Sequence, residues 1–248
     1  GGVRAESGLR FLPNDKSNLA VAAALAFRRT TGQTWKDLRI SLTKRIPVCA
    51  GTAGGSSDAA AVLRGLNTLT GAGLSPQALA KIGEAVGSDV PYCVLGGTAL
   101  AQGRGETLSP LPPLPDCFLV LCKPRFSIST PALFRTWDKA KRHLRPDTRG
   151  VIAALERGDL VSLAQRMFNV FEAVLPPHQH RDIEGIKTTL LQAGALGAAM
   201  SGSGPTVFGL FSQESAAQKA VTILQEDYDE VYLTQPLPAH GVSCQIPV

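Results

Sequence analysis

The chain lacks any apolar run near the ~18–20 residues that a bilayer-spanning helix needs, so no membrane partner is expected. It lacks clusters of Lys and Arg interleaved with aromatics; the net charge is only +5 and aromatics make up 6%. Nucleic acid is therefore not expected, and an anionic small ligand explains the charge as well. Cysteine is scarce and scattered: Cys49, Cys93, Cys117, Cys122 and Cys244 are odd in number and form no C-x-x-C pair. That pattern is neither a disulfide framework nor a zinc site. The histidines are His143, His178, His180 and His240. His178 and His180 stand two apart after Pro176-Pro177, not at the i, i+4 spacing of a helical metal pair. No basic-then-apolar signal opens the chain, so a reducing cytoplasm is the expected location. Internal repeats and low-complexity tails are missing as well.

What the chain does have is glycine, 25 residues of it, and a 44% hydrophobic content over 248 residues. That suffices for one large domain or two of ordinary size. The glycines gather most tellingly in Ala50-Gly51-Thr52-Ala53-Gly54-Gly55-Ser56-Ser57-Asp58-Ala59-Ala60. Glycine lets the backbone take positive φ and approach a ligand closely. Ser56, Ser57 and Asp58 are residue types that cap a helix start. Ala59, Val62, Leu63, Leu66 and Leu69 then recur at helical spacing. The stretch reads as a glycine loop that delivers free N–H groups and a positive helix end to one point, which suits a phosphate. It is neither G-x-x-x-x-G-K-[ST] nor G-x-G-x-x-G. A flexible linker before an ordinary helix stays open on these residues alone.

Taken in order, residues 1–16 carry little helical pattern, and Gly1-Gly2 without an initiator Met suggests a fragment or a processed end. Asn14 to Asn18 is a turn-and-cap cluster before a stripe of Leu19, Ala22, Ala23 and Ala26. Ile40, Leu42, Ile46 and Val48 predict a strand that ends near Pro47 and feeds the glycine loop. Gly71-Ala72-Gly73 stops the loop helix, and Ser75-Pro76 starts another. Gly87 to Tyr92 reads as a turn with an acid in it, and residues 96–106 as a strand pair or a strand and turn, crowded with glycine. Pro110-Leu111-Pro112-Pro113-Leu114-Pro115 is the best linker, dividing the chain into domains at 1–112 and 113–248. Beyond it, a strand is expected at Cys117–Cys122 and helices over 131–144, 151–157, 159–175 and 183–193. Short strands at 198–200 and 206–211 flank Ser201-Gly202-Ser203-Gly204-Pro205, followed by a helix over 214–224 and a strand over 230–233.

Four features could carry chemistry. The loop hydroxyls of Ser56 and Ser57 could reach a phosphate or a magnesium ion. Asp89, between Ser88 and Val90-Pro91, could accept a proton from a substrate hydroxyl during phosphoryl transfer. Its plainer reading is a turn-capping Asp. The second glycine-serine loop, 201–204, reads by itself as a strand-joining turn. Phe134 could stack on a ligand base or simply pack into the core.

Together these pieces resemble the GHMP kinase superfamily. The resemblance runs through Pro13 to Leu19, Lys44-Arg45-Ile46-Pro47, Gly54 to Ala60, Gly87-Ser88-Asp89-Val90-Pro91, Gly96-Gly97-Thr98-Ala99 and Gly103-Arg104-Gly105-Glu106. It continues through Ser129-Thr130-Pro131, Asn169-Val170-Phe171-Glu172 and Met200 to Phe208. Within the superfamily it is nearest to the enzymes that phosphorylate the C2 hydroxyl of 4-diphosphocytidyl-2-C-methyl-D-erythritol in non-mevalonate isoprenoid biosynthesis. The resemblance implies ATP and Mg2+ as cofactors and a small-molecule substrate, a methylerythritol linked to cytidine diphosphate. It implies an α+β, two-domain GHMP kinase fold: a ribosomal-S5-like N-terminal domain, here without its first strands, and a ferredoxin-like C-terminal domain. By the same resemblance Asp89 is the catalytic base. Gly51, Ala53, Gly54, Gly55, Ser56 and Ser57 wrap the ATP phosphates, with Ser57 near the magnesium. Asn18 lines the adenine pocket, Phe134 stacks on cytosine, and Ser201, Gly202 and Ser203 close on phosphates and substrate.

Two departures stand out. The superfamily's K-x-N-L-x-L and D-G-Y-H patterns do not occur in this sequence, so the chain is expected to be a fragment rather than a crippled short form. Thr52 stands where an apolar residue is usual, and a hydroxyl would be unfavourable in a packed pocket. Two other readings stay open: a kinase of the superfamily for another small alcohol, and a non-catalytic nucleotide-binding remnant. A plastid location is possible for a plant source.

Overall fold

The computed structural model describes residues 2–140 and 145–237. His143, His240, Cys244 and the end of the helix expected over 131–144 lie outside the described residues. The chain divides into two units, one holding the residues up to Val48 with Ala53–Pro110, the other Cys49–Thr52 with Leu111–Leu237.

In the first unit, β1 (Gly2–Ser7) and β2 (Asp37–Leu42) pair in parallel, with Ala5 opposite Ile40. Parallel pairing requires a crossover, which α1 (Leu19–Thr31) supplies. Its buried face is Ala20, Ala23, Ala24, Ala26 and Phe27, small enough for α2 (Gly54–Thr70) to pack closely through Ala59, Ala60 and Leu63. Then come α3 (Pro76–Glu84), α4 (Val90–Leu95), and the paired strands β3 (Thr98–Gln102) and β4 (Thr107–Leu111).

The second unit contains β5 (Phe118–Lys123), α5 (Thr130–Lys139), α6 (Thr148–Glu156), α7 (Leu160–Ala164), a 3-10 turn (Val170–Val174) and α8 (Pro177–Gln192). It ends with β6 (Gly197–Met200), β7 (Val207–Phe211), α9 (Glu214–Leu224) and β8 (Glu230–Thr234). The sheet is antiparallel in the order β6-β7-β5-β8. That is the split β-α-β-β-α-β arrangement of the ferredoxin-like fold. Its strands are apolar on both faces. Val120 and Cys122 of β5 pack with Ile183, Ile186 and Leu190 of α8 and Leu224 of α9, whereas Leu119 joins Ala154, Leu155 and Leu163 of α6 and α7. Alternate residues thus serve two cores, as the period of a strand requires.

Several elements differ from the sequence reading. The strand expected to end near Pro47 ends at Leu42, and beyond it Lys44 turns its side chain toward the start of α2. The turn expected at 87–92 becomes α4, with Pro91 in its first turn where a missing N–H costs nothing. The helix expected over 159–175 breaks after Ala164, and Asn169 caps the new 3-10 turn by accepting from Phe171 N at 2.9 Å. Pro110 and Leu111, read as linker, belong to β4. A strand at residues 2–7 carries too few alternating apolar side chains to be read from sequence.

Candidate active site

The glycine loop feeds α2 as its residues suggest, but the helix starts earlier. Gly54 is its first residue, and Ser56, Ser57 and Asp58 lie within it rather than before it. The residue in front, Ala53, has φ 52° and ψ 25°, the left-handed region, and offers no side-chain cap. For a residue with a Cβ that conformation is uncommon and concentrates at functional sites. The first helical bond runs from Ser57 N to Ala53 O at 2.9 Å. Helix geometry leaves the N–H groups of Gly54, Gly55 and Ser56 without intrahelical acceptors, at the positive end of a 17-residue dipole. Space around the two glycines is tight. A Cβ at Gly54 would stand 3.0 Å from Ile46 Cγ2, and one at Gly55 3.3 Å from Leu19 Cδ1. Lys44, with its side chain 7% exposed, fixes this end by donating to Asp58 Oδ2 at 2.5 Å and to Gly54 O at 3.3 Å. Ser57 Oγ donates to Gly54 O at 2.9 Å and keeps lone pairs for a ligand.

The opening of the loop, Cys49–Thr52, packs with the second unit. Gly51 O accepts from Ser201 Oγ at 2.9 Å, and Ala50 O accepts from Thr206 N at 3.2 Å. Gly51 has φ +72°, and a Cβ there would lie 2.3 Å from Ser201 O and 2.7 Å from Gly204 N. The second loop is itself a tight turn: Gly204 N donates to Ser201 O at 2.8 Å and Ser201 N to Thr206 O at 2.7 Å. The fold therefore brings Gly51, Ser201 and Gly202 together. Ser203 Oγ stands 2.7 Å from Thr130 Oγ1, at the start of the helix that carries Phe134.

Asp89 precedes α4, is exposed and makes no side-chain cap bond. A Cβ at Gly105 would stand 3.8 Å from Asp89 Oδ1, so the turn between β3 and β4 lies beside the carboxylate. α4 is tied to α2 by Arg64, which donates to Cys93 O at 2.8 Å. Burial, then the Asp89 charge, pushes the Cys93 thiol up to about 11. Phe134 is 50% exposed, with its ring edge-on to Phe171 at 4.8 Å. Asn18 is the cap of α1: its Oδ1 accepts from Ala20 N at 3.0 Å and its Nδ2 donates to Pro13 O at 2.8 Å. Among the described residues no group of three or more His, Cys, Asp or Glu gathers as for a metal ion. No helix among them is long and apolar enough to cross a membrane.

Sequence reasoning gave no role to Lys44, Arg64, Asn169 or Glu172. Lys44 leaves a signal: a cation inside an otherwise apolar-alternating run just before a glycine loop. Arg64 leaves none, since a basic residue on a helix face usually reads as solvated.

Two family models match the chain: GHMP kinases N terminal domain over residues 18–97 and GHMP kinases C terminal over residues 151–230. A curated relative from Moorella thermoacetica, named 4-diphosphocytidyl-2-C-methyl-D-erythritol kinase, is 44% identical over 95% of this chain and 83% of its own. The chain belongs to the GHMP kinase family. A relative of the same name from Enterococcus faecalis is also 44% identical, over 95% of this GHMP kinase and 82% of its own length. A crystal structure of 4-(cytidine 5'-diphospho)-2C-methyl-D-erythritol kinase superposes with a TM-score of 0.76 at 30% identity, covering 94% of this chain and 81% of that one. A homoserine kinase from Cytophaga hutchinsonii superposes with a TM-score of 0.77 at 24% identity, a likeness of fold, covering 95% of this chain and 82% of that one. The N-terminal match in this GHMP kinase spans the glycine loop and Asp89, and the C-terminal match spans the second loop.

Proposed function

We propose that this GHMP kinase transfers the γ-phosphoryl group of ATP to the C2 hydroxyl of 4-diphosphocytidyl-2-C-methyl-D-erythritol. The observation that carries the reading is the uncapped start of α2. A left-handed Ala53 without a capping side chain leaves N–H groups open at a helix end, an arrangement suited to a triphosphate. The relatives' names and the exposed Phe134 ring support the choice of substrate.

In this reading Gly54, Gly55 and Ser56 donate backbone N–H groups to phosphate oxygens, and Lys44 keeps their helix turn in place. Asp89 accepts the C2 hydroxyl proton as that oxygen bonds to the γ-phosphorus and ADP departs. Its exposed carboxylate, held by no cap bond, is free to meet a hydroxyl. Phe134 stacks on the cytosine and restrains that end of the substrate. Asn18 stands by the adenine, although its amide also caps α1. A magnesium ion, which Ser57 Oγ and the phosphates would hold, supplies charge neutralisation; few protein ligands suit a cation carried largely by phosphates and water.

The test is a coupled ADP-release assay on the whole chain with 4-diphosphocytidyl-2-C-methyl-D-erythritol, homoserine and mevalonate. Turnover is expected on the first alone. Turnover on another alcohol would reassign the substrate, and ATP binding without turnover would mark a non-catalytic nucleotide-binding protein.

A further inference from the structure

We infer that Asn169 and Glu172 are positioning residues that set the geometry of both glycine loops and of the aromatic ring beside the substrate's base; this rests on the kinase reading above. The two side chains leave one short 3-10 turn and grip the second loop at three backbone atoms. Asn169 Nδ2 donates to Met200 O at 2.7 Å and to Gly202 O at 2.8 Å. Glu172 Oε1 accepts from Met200 N at 2.7 Å. β6 is an edge strand and ends at Met200, still paired with Val207 of β7, so these bonds satisfy further backbone groups at the strand end and in the loop.

Each gripping group is itself held. Asn169 Oδ1 accepts from Phe171 N at 2.9 Å, which fixes the amide with its donor side toward the loop. Glu172 Oε2 accepts from Lys187 Nζ at 2.7 Å, and Lys187 also donates to Glu184 at 2.7 Å. The Glu172 and Lys187 side chains are 14% and 19% exposed, so water competes weakly for this pair.

The consequence reaches past the second loop. Met200 leads into Ser201, whose hydroxyl holds Gly51 O, and Thr206 N holds Ala50 O. The opening of the first glycine loop is therefore positioned by the loop that Asn169 and Glu172 clamp. Between them in sequence sits Phe171, whose ring meets Phe134 at 4.8 Å and Trp137 at 6.1 Å. One turn of chain thus locates the phosphate loops with its polar side chains and the Phe134 ring with its aromatic one. A fault in it should weaken both substrates together.

The experiment measures kcat and KM for ATP and for 4-diphosphocytidyl-2-C-methyl-D-erythritol, with amide hydrogen exchange and thermal unfolding on the same samples. Absence of turnover in the parent chain counts against the kinase reading, and the inference is then read from the affinity for a non-hydrolysable ATP analogue. Asn169→Asp puts a carboxylate of the same shape against two carbonyl oxygens. It should raise both KM values about 10- to 100-fold, since misplacing positioning groups by an ångström costs rates of that order. Exchange should quicken at 50–52 and 200–204 while α9 stays protected. Glu172→Ala should do the same, and Glu172→Gln, which keeps an oxygen for Met200 N, should recover most of the loss. Asn169→Asp with both KM values within about twofold of the parent would overturn the inference, as would activity lost in step with folded protein. Should Asn169→Asp not fold, equal KM values in Glu172→Gln and Glu172→Ala would overturn it.

Discussion

Ser201 donates its hydroxyl to the carbonyl oxygen of Gly51 at 2.9 Å, joining two glycine loops that lie 150 positions apart in sequence. The contact is close because Gly51 has no side chain: a Cβ would stand 2.3 Å from Ser201 O, in a backbone conformation of φ +72° that side chains resist. Two substitutions at the same contact should therefore differ widely. Ser201→Ala removes one half-buried hydrogen bond, a loss of about 1 kcal/mol. Gly51→Ala forces the loops apart and should raise the KM for ATP by well over tenfold more than Ser201→Ala does. Steady-state kinetics on the two variants checks the order, and equal effects would refute the close-approach argument.

Asp89 makes no cap bond to its own helix, so its carboxylate contributes little to the fold. Asp89→Asn should leave the thermal midpoint nearly unchanged and ATP binding intact. Loss of the proton acceptor should lower kcat by about 10²- to 10⁴-fold. A kcat within threefold of the parent would remove Asp89 from the role of base. A large drop in stability would instead mark it as a structural cap.

Thr52 is where the chain departs from an apolar position, and its Oγ1 is buried with no hydrogen-bond partner among the described residues. An unsatisfied buried hydroxyl costs about 1–3 kcal/mol. Thr52→Val keeps the shape and removes the polar atom, so it should raise stability by about 1 kcal/mol in denaturant unfolding. Thr52→Ser keeps the polar atom, loses a methyl group and should not stabilise. A Thr52→Val variant no more stable than the parent would mean that the hydroxyl is satisfied after all.

Much of this architecture was legible because local chemistry and tertiary need agree. Leu63 and Leu66 are apolar at helical spacing and are buried. Glu214–Leu224 is a helix over its expected bounds. The glycine loop and α2 follow from the run of small residues. The start of α2 was misread because Gly54 and Gly55 are poor helix formers and Ser56 and Ser57 good caps. Ile46 and Leu19 pack so close to Gly54 and Gly55 that a Cβ there would have to push them aside, and tight packing outweighs propensity. Asn169 and Glu172 were visible only as letters in a family pattern. Their work is done on backbone atoms about thirty positions away, and spacing alone cannot show which way a side chain reaches.

Stability should fall at alkaline pH, and the buried thiols set where. Burial pushes Cys122 up to about 12 and Cys93, with help from the Asp89 charge, up to about 11. In the unfolded chain such thiols lose their protons near 9.0. Above that pH the unfolded chain binds fewer protons than the folded one, so the free energy of unfolding falls as pH rises. Lys187 acts with the same sign. Burial opposes its charge, yet the hydrogen bonds it donates to Glu172 and Glu184 hold it above its ordinary value of 10.5, and that contribution is lost as pH climbs past it. Below pH 9 none of the three changes stability. Denaturant midpoints should be flat from about pH 7 to 8.5, then decline by up to about 1.4 kcal/mol per pH unit for each group titrating. Cys122→Ala lowers stability at every pH by its lost packing, but it removes the thiol with the larger of the two shifts. Its curve should therefore decline less between pH 9 and 11 than the parent's. Parallel curves for parent and Cys122→Ala would show that the Cys122 thiol is not the group that titrates.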